Sequence, residues 1–359
     1  MAKYTLYLLK TLVGITLVLF GGFLAIRLYH SWKDPIDVLR KNSISTKIIY
    51  ENSYKSHDLF EKRVYTDITL DIAGAGKAHF TLSLPETIPK EGLKCIFVAS
   101  GLDTGRKSLD YIRDQSNYAI ISYEYPALIR SLKSRSLVLK IRHLREKILM
   151  VPQQWVSIIL WIEQQQWCKN EPISIVGFSF GSLFVPATYH LAQVEKVQLG
   201  PGVIGYGGAG LLCLLNANLK LPGLVKTPVA WLTSILLRPI DPIVHAKYLQ
   251  NTFLIINGIY DRMIPAKCRK KIQEIIPDPK KIINLKTEHM NPSNQALLDE
   301  LIEITKDFLE NQNVKTADTA ALTNASEFLP NTVNQTPAKT PILLLKLYSS
   351  AGANWKLSC

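Results

Sequence analysis

The segment "PISIVGFSFGSLFVP" (residues 172–186) places Ser179 between Gly177 and Gly181, where a strand-like apolar run gives way to a helix-like one. A serine on such a turn projects its hydroxyl away from the sheet, and small residues two before and two after it let strand and helix approach. The new helix turns its positive N-terminal end toward the serine. Because a free hydroxyl is a poor nucleophile, a histidine base and an orienting carboxylate are also required.

His289 is the best candidate for the base among the seven histidines of the chain. His30 lies in the N-terminal flank, His79 in a predicted strand, and His190 far down the helix after Ser179. His289, in "INLKTEHMNPS", follows the last predicted strand. A loop at that position can return over the sheet and bring its imidazole to the serine.

Asp261 is the predicted carboxylate, because it directly follows an apolar run and a glycine in "FLIINGIYDRMIP". Functional residues collect at the carboxyl ends of parallel strands. Asp241, in "RPIDPIVHA", and Asp278, in "IPDPKK", are the alternatives. Both lie beside prolines in turn-like sequence with no strand before them, so we expect each to have a turn or cap role.

The elements that must position these residues are short apolar runs that alternate with longer helical segments. "VYTDITLDIA" and "AHFTLSLP" flank "GAGK" and predict a hairpin. Six further runs, from "KCIFVAS" to "KIINLKTEH", are mostly separated by enough residues for a crossover helix. This pattern predicts an α/β fold with a mostly parallel, doubly wound sheet covered on both faces.

With the chain order Ser…Asp…His, the sequence resembles the α/β-hydrolase superfamily over roughly residues 60 to 310. "GFSFG", "INGIYDRMIP" and "TEHMNPS" carry the resemblance. The nearest look-alikes are esterases and dienelactone-hydrolase-like members, although serine stands here where dienelactone hydrolases carry cysteine. The resemblance implies an oxyanion hole formed by the backbone N–H of Phe180 and a second donor in "VASGLDTGR", with Gly101 and Leu102 as candidates.

These features favour a serine hydrolase acting on carboxylic esters, including lipid-like ones, through an acyl-serine. Ser179 would attack the carbonyl, His289 would act as base and then acid, and Asp261 would hold the imidazole. An amidase or peptidase of the same fold, or a catalytically silent scaffold that binds at a membrane, remains an alternative. The motifs imply no metal and no organic cofactor; "GLDTGRKS" fails as a phosphate loop because Arg106 replaces its second glycine.

The two ends differ from the body of the chain. Residues 11–26 carry no charge, and no convincing A-x-A site follows the apolar run, so residues 1–30 predict an uncleaved, single-pass membrane anchor. Residues 31–59 form a linker, 60–312 the α/β-hydrolase domain, and 313–359 a disordered tail. More basic residues follow the apolar run than precede it, which favours a cytoplasmic body.

Charge and cysteine content narrow the choice of partners. The net charge is +13, and seven of the basic residues fall within 130–147. This stretch would suit anionic lipid headgroups or form a solvated helix face, and no aromatic-interleaved motif indicates nucleic acid.

The apolar segment 211–237 would form a lid or pack in the core. Five dispersed cysteines argue against a disulfide framework and a zinc site.

Overall fold

The computed structural model describes residues 2–40, 45–55, 62–115, 117–131 and 141–327. The strands are β1 (Thr46–Lys55), β2 (Arg63–Ile72), β3 (Gly76–Pro85), β4 (Lys94–Ala99), β5 (Tyr118–Glu124), β6 (Ser174–Phe178), β7 (Gly202–Gly205), β8 (Phe253–Gly258) and β9 (Lys280–Leu285). The helices are α1 (Ala2–Trp32), α2 (Pro35–Leu39), α3 (Ala127–Arg130), α4 (Ile141–Glu163), α5 (Val185–Val194), α6 (Leu211–Asn218), α7 (Gly223–Leu236), α8 (Pro242–His245), α9 (Ala266–Ile275) and α10 (Gln295–Glu327).

The nine strands form one sheet in the order β1-β2-β3-β5-β4-β6-β7-β8-β9. The pairs β1–β2, β2–β3 and β3–β5 are antiparallel, and every pair from β5–β4 to β8–β9 is parallel. The predicted α/β class, the mostly parallel sheet and the β2–β3 hairpin are therefore confirmed. β1 was not predicted, because its side chains are nearly all exposed and leave no apolar alternation in the sequence.

Helices cover both faces of the sheet. Successive residues of a strand point to opposite faces, so each central strand contributes apolar side chains to both layers. On one face Phe97 and Tyr123 pack with Trp155 of α4 and with Phe184. On the other face, Val98, Ile120 and Val176 share a core with Leu301 and Leu309 of α10. Both layers are buried, which explains why the central strands read as continuous apolar runs.

The connection between β4 and β5 differs from the other crossovers of the parallel sheet. Its described residues hold a 3-10 helix of seven residues, Gly105–Tyr111, and no α-helix. By comparison, α4 has 23 residues and α5 has ten. The face of the sheet next to α10 is consequently covered by less helix than the opposite face.

Cys213 of α6 and Cys268 of α9 form a disulfide across 55 residues of sequence. The argument from dispersed cysteines against disulfides is therefore wrong for this pair. The two half-cystines lie on separate crossover segments, and the backbone N–H of Ala209 donates to the carbonyl of Cys268 at 3.0 Å. Proximity of this kind arises from the fold, and cysteine spacing alone carries no trace of it.

The N-terminal helix α1 is 31 residues long and contacts α7. Within the described ranges, no helix is both long enough and apolar enough to cross a bilayer. The chain divides into two compact units, Met1–Gln312 and Asn313–Cys359, and α10 extends to Glu327 in the stretch predicted to be a disordered tail. Residues 132–140 of the basic stretch and 328–359 of the tail lie outside the described residues.

A pair of histidines lies between α5 and the segment 239–248. The fully buried His245 places Nε2 2.7 Å from the carbonyl of Pro239, so Nε2–H donates and Nδ1 accepts. The Nδ1 atom of His190 lies 3.1 Å from Nδ1 of His245, and the His190 ring stacks on Tyr248. Burial lowers the pKa of His245 to about 4.

This lowered pKa predicts a loss of stability in acid. The unfolded chain binds a proton on His245 below a pH of about 6.5, whereas the folded chain binds it only near pH 4. Stability is thus fully present above about pH 6.5 and is lost as the pH falls toward 4, by about 3 kcal/mol. Urea unfolding between pH 7 and 4.5 should show this loss in the wild type, unchanged in the exposed control His143→Gln and reduced in His245→Gln. An identical pH slope in His245→Gln would contradict the assignment.

Candidate active site

Ser179 occupies a strained turn between β6 and the 3-10 helix Gly181–Leu183. Its φ is +52°, in the left-handed region that costs a non-glycine residue about 1–2 kcal/mol. Hydrogen bonds on both sides hold this conformation: Ser179 N–H donates to the carbonyl of Gly205 at 2.9 Å, and Ser182 N–H donates to the carbonyl of Ser179 at 3.1 Å. The turn presents the Ser179 hydroxyl at the carboxyl end of the sheet.

The two glycines of the motif are required by close packing. A Cβ atom at Gly181 would lie 2.0 Å from the carbonyl oxygen of Ala99, at the end of β4. A Cβ atom at Gly177 would lie 2.3 Å from Cγ2 of Val185, in the first turn of α5. At Gly181 the clash is with backbone, so a side chain there would displace β4, whereas at Gly177 the Val185 side chain would have to move.

The structure brings Ser179, His289 and Asp261 together in one chain of hydrogen bonds. Ser179 Oγ lies 2.7 Å from His289 Nε2, and His289 Nδ1 lies 2.7 Å from Asp261 Oδ2. The carboxylate can only accept, so Nδ1 carries the proton and the Nε2 lone pair faces the serine hydroxyl. In this arrangement the imidazole can take the serine proton when Oγ attacks an electrophile.

The Asp261 carboxylate is fully enclosed, with a side-chain exposure of 0% compared with 14% for His289. Its Oδ1 accepts the backbone N–H of Met263 at 2.8 Å and of Ile264 at 3.0 Å. These two bonds occupy one oxygen and fix the carboxylate plane. The second oxygen is therefore directed at the imidazole, which is how a buried charge is usually accommodated.

The loops after β8 and β9 are joined to each other, which sets the Asp261–His289 distance. Ile259 N–H donates to Leu285 at 2.8 Å and Tyr260 N–H donates to Thr287 at 3.0 Å. Extending the β8–β9 ladder beyond the strands in this way leaves Asp261 and His289 side by side at the sheet edge.

Tyr206 is a site residue that the sequence analysis missed. Its hydroxyl lies 2.6 Å from Thr287 Oγ1, two residues before His289, and the edge of its ring faces the imidazole at 5.7 Å between centroids. Tyr206 also has a positive φ of +51°. The sequence does contain a signal for Tyr206, namely a tyrosine within the glycine-rich "GYGGAG". Glycine would adopt a positive φ there without strain, so a tyrosine in its place indicates a specific role for the side chain.

The loop that carries the predicted oxyanion-hole residues Gly101 and Leu102 is hydrogen-bonded to the serine turn, which carries Phe180. Gly181 N–H donates to the carbonyl of Ser100 at 3.2 Å, which ties the serine turn to the loop after β4. Thr104 hydrogen-bonds the Gly101 carbonyl through both its N–H, at 3.2 Å, and its hydroxyl, at 3.0 Å. Among the described residues, the N–H groups of the three candidates donate to no acceptor: Phe180, Gly101 and Leu102.

The two alternative carboxylates lie elsewhere. Asp241 caps α8 by accepting the N–H of Ile243 and also accepts the N–H groups of Gly210 and Leu211, at 2.9–3.1 Å. Its expected cap role is confirmed. Asp278 lies in a bend before β9. Like Asp261, Asp241 is a carboxylate that accepts backbone N–H groups. It has no histidine partner among the hydrogen bonds of the described residues, so its role is structural.

The architecture described here is the α/β-hydrolase fold. The chain is similar to an acetyl xylan esterase from Paenibacillus sp. R4, with a TM-score of 0.55 and 11% identity over 78% of this chain and 94% of that one. Acetyl xylan esterase 1 from Thermoanaerobacterium sp. JW/SL YS485 gives a TM-score of 0.49 and 14% identity, with coverages of 75% and 90%. No model of a protein family and no curated protein matches the sequence. At this identity the likeness defines the fold alone.

The two aspartates provide a matched pair of variants. Asp261→Asn removes the acceptor that fixes the imidazole tautomer, so we expect labelling of Ser179 by a fluorophosphonate to slow by about four orders of magnitude. Asp241→Asn should lower the free energy of unfolding by about 1–3 kcal/mol and leave the labelling rate of the folded protein unchanged. Equal labelling of the Asp261→Asn and wild-type proteins would show that the carboxylate does not orient His289.

Proposed function

We propose that this protein is a serine hydrolase that cleaves carboxylic esters through an acyl-enzyme intermediate. The observation that carries the proposal is the continuous set of hydrogen bonds from Ser179 Oγ through His289 to Asp261, with 2.7 Å at each step. Ester-cleaving enzymes among similar folds make esters the first substrates to test. Amides remain the alternative, since such a triad acts on both.

In the first half-reaction, Ser179 Oγ attacks the ester carbonyl carbon while His289 Nε2 accepts the hydroxyl proton. The imidazolium that forms is stabilised by the enclosed Asp261 carboxylate. The carbonyl oxygen, now negatively charged, accepts N–H bonds from Phe180 and from the Gly101–Leu102 segment, each contributing about 3 kcal/mol to the barrier reduction. Collapse of the intermediate expels the alkoxide, which takes the proton from Nε2.

The second half-reaction returns the enzyme to its starting state. A water molecule loses a proton to His289 Nε2 and attacks the acyl-serine carbonyl carbon. The same N–H donors stabilise the second oxyanion. The C–O bond to Ser179 then breaks, its oxygen recovers the proton from His289, and the carboxylic acid leaves.

The nucleophile assignment is tested with Ser179→Ala. The wild-type protein should hydrolyse p-nitrophenyl butyrate and be labelled by a fluorophosphonate, and Ser179→Ala should lose labelling and at least about 10³-fold of the hydrolysis. Ser234→Ala, at a partly buried position of α7 whose hydroxyl donates to the Trp231 carbonyl, is the matched control and should retain both. A folded wild-type protein that neither hydrolyses nor labels would favour the non-catalytic scaffold.

We further propose that the protein acts at a membrane through α1. The uncharged run 11–26 lies within this helix. α1 contacts α7, whose first turn exposes Leu224 to 94% and Val225 to 50%, with Lys226 beside them. An apolar tip flanked by basic groups suits an anionic lipid surface.

The disulfide bears on which side of the membrane the body occupies. Disulfides persist in oxidising compartments and are rare in the cytosol. The Cys213–Cys268 bond therefore supports a body on the oxidising side, whereas the charges after the apolar run favour the cytoplasmic side. We propose the oxidising side, because a stable disulfide is rare in the cytosol.

Membrane attachment is tested by placing lysines in the middle of α1. Val13→Lys/Val18→Lys should move the protein from the carbonate-washed membrane fraction to the soluble fraction, because each lysine at mid-membrane costs about 2.5–3.5 kcal/mol. Tyr4→Lys, near the end of the helix, should stay membrane-bound. Retention of the double variant in the membrane fraction would contradict the role of α1.

A further inference from the structure

A cavity lies between the sheet and α10. The β4–β5 connection contributes only a short 3-10 helix to this layer, so it covers little of the sheet face there. Its floor consists of strand side chains that point to this face, Ile96 and Val98 of β4 and Val176 of β6, and its roof includes Leu301 of α10. Nearly all of the surface that it presents is apolar. We call it the sheet–α10 cavity.

One end of the sheet–α10 cavity is formed by neighbours of the proposed catalytic groups. Phe178 precedes Ser179, Met290 follows His289, and Ser100 precedes the oxyanion-hole candidate Gly101. The unbranched side chain of methionine is well suited to a wall that must accommodate a ligand. This end of the cavity therefore lies beside the segments that carry Ser179, His289 and Gly101.

The other end lies next to Tyr118, Leu309 and the Asp114–Lys306 ion pair, whose aspartate is largely exposed to solvent. From Ser100 to Ile96 the strand advances about 13 Å, at about 3.3 Å per residue. From Leu298 to Leu309 the helix advances about 16 Å, at 1.5 Å per residue. An extended hydrocarbon advances about 1.3 Å per carbon, so about ten to twelve carbons fit along this length.

The lining favours an apolar ligand, because polar residues that border the cavity, such as Ser108 and Gln115, are already hydrogen-bonded to Ser122 and Ser83. A sugar or peptide would need hydrogen-bond partners along its length, and a buried polar group without one is costly. A linear hydrocarbon needs none and gains from every contact. An apolar space that ends beside the segments carrying Ser179 and His289 thus suits a single unbranched acyl chain.

We propose that the sheet–α10 cavity binds the acyl chain of the substrate, a linear chain of about ten to twelve carbons whose carbonyl carbon lies at Ser179. The acyl chain runs from the carboxyl edge of the sheet along the face next to α10, past Val98 and then Ile96, toward Leu309. The catalytic part of this inference rests on the proposed ester hydrolysis. The binding part stands independently of it.

The proposal is tested by filling the cavity at two depths and measuring kcat/KM for p-nitrophenyl butyrate, decanoate and dodecanoate. Val98 lies about 7 Å along β4 from Ser100, so Val98→Phe should leave room for about five carbons. We expect it to leave butyrate hydrolysis nearly unchanged and to lower decanoate hydrolysis by about 100-fold or more, because each buried methylene contributes a factor of about four. Ile96→Phe should affect chiefly dodecanoate.

Two further variants separate a blocked cavity from a damaged fold. Ile302→Trp fills the cavity from the partly exposed side of α10 and should also disfavour long esters. Ile283→Phe, on β9 in the same layer but outside the cavity, is the matched control and should change neither selectivity nor butyrate hydrolysis. Equal chain-length profiles in the wild-type, Val98→Phe and Ile302→Trp enzymes would overturn the proposal and leave ester hydrolysis intact.

A binding measurement tests the cavity without chemistry. The Ser179→Ala protein should bind decanoate, measured by displacement of a fluorescent fatty acid, and Ser179→Ala/Val98→Phe should bind it at least about 30-fold more weakly. This result in a protein whose wild type hydrolyses no ester would uphold the cavity and reject the proposed reaction. Equal binding by the two proteins would reject the cavity.

Discussion

The contact between the serine turn and the end of β4 is the constraint on which the rest of the site depends. Gly181 is so close to the carbonyl of Ala99 that no side chain fits between them, and its N–H bonds the next carbonyl, that of Ser100. This contact brings two loops from adjacent parallel strands together. The nucleophile and the N–H groups proposed to receive the oxyanion therefore have a fixed spacing before any substrate binds, as electrostatic preorganisation requires.

The other half of the site is built by a second pair of adjacent strands. The β8–β9 ladder continues into the loops that carry Asp261 and His289, and two backbone N–H groups hold the aspartate so that one oxygen faces the imidazole. A buried carboxylate would be unfavourable without these partners. The strained turn at Ser179 and the buried charge at Asp261 are thus each compensated by backbone hydrogen bonds that the sheet supplies.

Much of this could be predicted from the sequence, because the signals are local. Strand-end positions, the spacing of the glycines and the order Ser…Asp…His are visible within a few residues, and they led to Ser179, Asp261 and His289. The features that were missed depend on contacts between distant segments. The Cys213–Cys268 disulfide and the packing of Tyr206 on His289 leave no local pattern, and the exposed β1 lacks the apolar alternation by which strands are recognised.

The short helix of the β4–β5 connection separates two properties of the protein. The reacting groups lie on loops fixed by the strand ladders, whereas the space for the acyl chain depends on how much of one sheet face remains uncovered. An α-helix in place of the seven-residue 3-10 helix, which begins after Gly101 and Leu102, would fill that space and leave Ser179, Asp261 and His289 in place. Selectivity for chain length could therefore drift in evolution, or be redesigned, by insertions and deletions in a single crossover, with no change to the chemistry.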